Sequence, residues 1–109
     1  MIVDHVADIE HAKKLKEKGF PQETEFYHVF DENGFSVRHK TWQMISRCAP
    51  VSAPMATELL ASLPQEVVTG RDEHGYWAAY DESRRKESVQ TEASSLPNAL
   101  ADLYCELHK

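Results

Sequence analysis

Two stretches of this chain nearly repeat each other, and both reverse the backbone. Asp31-Glu32-Asn33-Gly34-Phe35 recurs as Asp72-Glu73-His74-Gly75-Tyr76. Asp at the first position and Gly at the fourth suit a type I turn, Asp because its carboxylate bonds the backbone N–H groups that follow. Each turn joins two runs rich in aromatic and β-branched residues. These are Thr24 to Phe30 with Phe35 to His39, then Glu66 to Arg71 with Tyr76 to Asp81. Such runs read as strands, so the sequence predicts two β-hairpins. A lone hairpin is marginal in water, so something must cover them. If Gly34 forms the bulge of a three-residue loop, Val29 faces Val37, Tyr27 faces His39 and His28 faces Arg38. That register puts His28 and His39 on opposite faces.

Helices supply the cover. Asp8 is a good N-cap for a helix from about Ile9 to Lys18, with Ile9, Ala12 and Leu15 as a narrow apolar stripe and lysines in its last turn. Gly19 ends it in the left-handed conformation, which brings Phe20 back onto Leu15, and Pro21 prevents continuation. Trp42, Met44 and Ile45 continue a strand or begin a third after a bend near Lys40. Ala49-Pro50 breaks the sheet. Ser52 then caps a second helix with Pro54 in its first turn and Ala56, Leu59, Leu60 and Leu63 as its buried stripe, and Pro64 closes it. A further strand runs from about Lys86 to Thr91. Ser95 caps a last helix to about Leu107, where Leu96, Leu100, Leu103, Tyr104 and Leu107 give the clearest amphipathic pattern in the chain.

Ser52-x-Pro54-x-Ala56 with Leu60 is echoed by Ser95-x-Pro97-x-Ala99 with Leu103, so a hairpin followed by a helix occurs twice, over 24–63 and 66–108. Turns and helix starts favour these letters in any case, so duplication and coincidence both fit. The expected fold is α+β in one domain over 1–109. Two β-hairpin/helix units form an antiparallel sheet covered by helices, with a short N-terminal helix ahead of them. Two small packed sheets, or a sheet edge paired with a second copy in a homodimer, are the other arrangements.

The 109 residues are 41% hydrophobic, enough for one core. No apolar run is long enough to span a bilayer, and charges fill the first 18 positions where a signal peptide needs an apolar stretch, so a cytoplasmic location without membrane contact is expected. Cys48 and Cys105 lack CxxC spacing and read as reduced thiols. A net charge of −6 argues against general affinity for nucleic acid, which needs Lys and Arg to neutralise phosphates. The local exceptions are Lys13, Lys14, Lys16 and Lys18, and Arg84, Arg85 and Lys86. These would serve single-stranded nucleic acid if strand aromatics stacked on its bases.

Catalytic chemistry finds no foothold. There is no GxSxG, GxGxxG or GKS pattern, and no HxxxH or HxH spacing, so neither a nucleotide cofactor nor a metal is expected. The carboxylate pairs sit in turns and the serines at caps or turns, where the backbone already uses them. A small enzyme built on His28, His39 or Cys48 is the remaining catalytic alternative, and Cys105 with His108 could offer only two ligands. What stands out is aromatic: Phe26, Tyr27, Phe30, Phe35, Trp42, Tyr76, Trp77 and Tyr80 concentrate on the strands. Tyr76 and Trp77 are adjacent and must point opposite ways, one buried and the other exposed or under a helix. Tyr27, Trp42, Tyr76 and Trp77 are the candidate interaction surface, set against their equally ordinary use as core residues.

Ile9-Glu10-x-Ala12-Lys13-x-Leu15-Lys16-x-x-Gly19-Phe20-Pro21, the pair Phe26-Tyr27, the Ala49-Pro50 step and the closing Leu100-Ala101-Asp102-Leu103 together resemble small proteins of bacterial genomes and their phages or prophages. Arg38 to Cys48 is longer than in that pattern. The resemblance implies no enzyme, no cofactor and no site residues. The expectation that follows is a non-catalytic accessory domain of phage or prophage type that binds another protein.

Overall fold

The computed structural model describes residues 5–31, 34–42, 50–82 and 87–108. Helix α1, Ile9–Glu17, starts at Asp8, whose side chain accepts the His11 N–H. Gly19, at φ +82°, ends it: its N–H donates to the Lys16 carbonyl and the Phe20 N–H to the Leu15 carbonyl at 2.9 Å. This double bond at the helix end folds Phe20 onto Leu15, and both are buried.

Strands β1 (Phe26–Asp31) and β2 (Gly34–His39) form the first hairpin, and β3 (Val51–Ser52) joins the other side of β1. The register differs from expectation by one residue. Asp31 pairs directly with Gly34, so Tyr27 faces Arg38, His28 faces Val37 and Val29 faces Ser36. Gly34 absorbs the reversal inside the ladder, at φ +96°, and the loop closes on two residues rather than three. A slip of one residue moves every β2 side chain to the other face. His28 and His39 therefore share a face, contrary to the sequence reading.

The second correction concerns Ser52. It caps no helix. Val51–Ser52 is captured by β1 opposite Tyr27 and His28, Ala53 N–H donates to the Phe26 carbonyl, and Gln22 Oε1 accepts the Ser52 N–H. The strand pairing and these two bonds together outweigh one cap. The helix, α2, instead spans Ala56–Ala61 after Met55, whose N–H goes to Glu58 Oε1 at 2.9 Å. So short a helix buries Leu59, with Leu63 just beyond it, and leaves Leu60 39% exposed rather than in the stripe. The expected continuation through Met44 and Ile45 falls outside the described residues.

The second sheet holds β4 (Val67–Asp72), β5 (Gly75–Glu82) and β6 (Glu87–Ala93) in sequence order. Its turn also closes on two residues, Asp72 pairing with Gly75. Gly75 sits at φ +132° with a built Cβ only 2.6 Å from the Ala93 carbonyl oxygen, so no other residue fits. Helix α3, Leu96–Leu107, is capped by Ser95 Oγ and has Pro97 in its first turn, as expected.

The class is α+β with antiparallel strands, as read from the sequence, but the described strands form two three-stranded sheets rather than one. The core gathers Leu15 and Phe20, Leu59 and Leu63, Ala78 of β5, and Ala99, Leu100, Leu103 and Tyr104 of α3. Each buried leucine contributes about 1.5–3 kcal/mol by leaving water. Thr91 Oγ1 donates to the Ala99 carbonyl at 2.7 Å, which ties β6 to α3.

Candidate functional site

The four aromatic candidates do not form one surface. Tyr27 lies on the same face of the first sheet as Arg38, whose guanidinium stands 5.0 Å over the Trp42 ring. Tyr76 turns to the helix-covered face of the second sheet, half-buried, with the Arg71 guanidinium 5.6 Å over its ring. Trp77 turns to the opposite face. The adjacent pair is split as alternation requires.

The histidines and cysteines are equally dispersed. The buried His28 ring bonds the Ala7 carbonyl at 2.6 Å, and burial holds its pKa below the ordinary histidine value. His39 stands between Thr41 and Glu25, and Lys40 also reaches Glu25 at 2.9 Å. Hydrogen bonds from Lys40 and His39 lower the Glu25 pKa, and Glu25 in turn raises that of Lys40. Burial, with Asp102 nearby, pushes the Cys105 thiol up, which disfavours the reactive thiolate. His108 stacks flat on Tyr104 at 4.0 Å instead of turning to Cys105. Among the described residues no group of His, Cys, Asp and Glu has the geometry to hold a metal ion. Cys48, Arg84, Arg85 and Lys86 lie outside the described residues, so the pairing of Cys48 with His39 and half of the basic reading do too.

Sequence reasoning missed a polar seam between α1 and α3. Asp8 N–H donates to Asn98 Oδ1 at 2.9 Å, and Asn98 Nδ2 returns to Asp8 Oδ2 at 3.1 Å. One turn along, His11 bridges Asp8 Oδ1 at 2.6 Å and Asp102 Oδ1 at 3.1 Å. Partial burial works to raise the Asp8 pKa, but the bonds from His11 and Asn98 together outweigh it and lower it. The signal was present as spacing: residues 8 and 11 are one turn apart on the first helix, as are 98 and 102 on the last. Beside this seam an open cleft of about 760 Å³ is lined by His5, Tyr76 and Ser95, among others. Its Asp8 and Asn98 are already spent on each other.

The outer face of the second sheet is different. The ladder puts Val68, Gly70 and Asp72 of β4, Trp77 and Ala79 of β5, and Gln90 and Glu92 of β6 at outward positions. Helix α3 lies on the other face, over Ala78 and Thr91. The Trp77 indole rests on Gly70, occupying the place of a side chain: a Cβ there would come within 2.3 Å of the ring. Val68, next to it, is 57% exposed. The acids Asp72 and Glu92 occupy outward positions beside this apolar centre, and among the described residues no outward position carries Lys, Arg or His. The hairpin register, once known, would have found Val68, Gly70 and Ala79; the aromatic count found only Trp77. No family model, curated protein or solved structure matches this chain.

Proposed function

We propose that this chain is a non-catalytic interaction domain whose binding surface is the outer face of the second sheet. The observation that carries the reading is Trp77 seated on Gly70 beside the exposed Val68, on a sheet whose opposite face is the one α3 covers. A tryptophan packed on a glycine loses little freedom on binding and offers a large apolar area, the character of interface anchors. The phage or prophage setting rests on the sequence resemblance alone.

Matched pull-downs with the wild-type chain and a Val68→Glu/Trp77→Ser variant test the proposal, with circular dichroism to verify the fold. Partners retained by the wild type and lost from the folded variant support it. Identical partner sets for the two would overturn it, because the surface would then contribute nothing.

A further inference from the structure

Resting on that reading, we infer that the outer face of the second sheet receives a basic amphipathic helix of another protein. The other side of this sheet shows how such a face is satisfied within the fold: α3 lays a leucine stripe across it. The outer face offers a smaller apolar centre in Val68, Trp77 and Ala79, without a covering helix among the described residues. Its charges decide which kind of helix fits. Asp72 occupies an outward position towards one end of the patch and Glu92 one beside Trp77, so the ionisable outward positions among the described residues are acidic.

A second copy of the chain is a poor occupant. Face to face it would set these acids against their own equivalents, between molecules that each carry −6. A helix whose apolar stripe is flanked by Lys and Arg meets both demands at once. The apolar stripe covers Trp77 and Val68, and the flanking cations meet Asp72 and Glu92.

The test uses synthetic peptides about four turns long: one with a leucine stripe and lysines elsewhere, one with glutamate replacing lysine, and one with the lysine peptide's composition scrambled. Trp42→Phe leaves Trp77 as the single fluorescent indole, because the chain has two tryptophans. The lysine peptide is expected to shift Trp77 emission and bind at least about tenfold more tightly than either control, and Val68→Glu to remove most of that affinity. Added salt should weaken binding. Reversing the charge of the face with Gln90→Lys/Glu92→Lys should transfer the preference to the glutamate peptide.

Equal binding of the lysine peptide to wild type and a folded Val68→Glu chain would overturn the inference, as would an unchanged preference after charge reversal. A dimer in light scattering that Val68→Glu dissociates would assign the face to a second copy. That result refutes the basic helix while leaving an interaction surface in place. Loss of every partner difference in the pull-downs above refutes the surface itself.

Discussion

The two sheets share a turn and little else. In the first, the third strand adds beside the hairpin's leading strand, in the order β2-β1-β3; in the second, beside its trailing strand, in the order β4-β5-β6. Their chemistry diverges in the same way. The second sheet sends Ala78, Tyr76, Tyr80 and Val89 into or against the main core, whereas among the described residues no side chain of β1, β2 or β3 belongs to that cluster. The first sheet buries Val29 apart from that cluster and is tied on by polar bonds as well: His28 to Ala7, Gln22 to Ser52 and Glu25 N–H to Glu58. It also buries two hydroxyls, Ser36 Oγ and Ser52 Oγ, without partners. Similar turns thus serve one sheet that is part of the core and one that is fastened to it. Turn chemistry fixes a reversal of the chain, and what lies on the strand faces decides the role.

The comparison can be broken by measuring stability on both sides of it. Leu103→Ala, which opens a void in the core, should cost about 2–5 kcal/mol in urea unfolding. Val29→Ala in the first sheet should cost clearly less, and equal losses would mean that the first sheet shares the core after all. Asn98→Ala leaves the Asp8 N–H without its acceptor, so a loss of about 1–3 kcal/mol is expected, with α1 amides losing hydrogen-exchange protection before those of β5.

A third experiment uses acid. The His28 pKa is lowered in the fold by burial, so below the ordinary value near 6.5 the unfolded chain binds a proton that the folded one resists. The stability that neutral His28 provides is therefore present above that value and is lost as pH falls through the folded pKa. His28→Gln keeps an N–H donor for Ala7 and should flatten this decline; an unchanged slope would show that other groups cause it. Asp8, also lowered, adds its own loss only further down, below the ordinary aspartate range. The smallest effect expected is that of Ser52→Ala. Deleting a buried hydroxyl that bonds to nothing should be neutral or stabilising by up to about 1 kcal/mol in the same unfolding assay, and a clear loss would reveal a bond the geometry does not show.

Much of the fold was legible where the signal is local. Asp8 and Ser95 cap helices, Gly19 ends one, and the Leu100, Leu103 and Tyr104 stripe is buried, because neighbouring residues alone determine these features. The failures occur where distant partners compete. Ser52 has the chemistry of a cap, yet β1 claims its backbone, and its hydroxyl is left orphaned in consequence. The hairpin register depended on whether Gly34 stands inside or outside the ladder, a difference of one residue that adjacent letters do not encode. At the candidate site the aromatic residue type pointed to Trp77, but also to Tyr76, Tyr27 and Trp42, which the fold distributes elsewhere. The small and aliphatic residues that make Trp77 a surface, Gly70, Val68 and Ala79, carry no signal until the strands are aligned.

The seam between Asp8 and Asn98 joins positions 90 apart in sequence. During synthesis at about 5–20 residues per second, the segment that becomes α1 leaves the ribosome roughly 4–20 s before the asparagine that anchors it. Throughout that interval its lysine-rich helix lacks the α3 side of its dock and is short enough to melt and re-form freely. Completion of the domain is thus timed by its last helix, and any factor that engages the first helix on the ribosome has only that window in which to act.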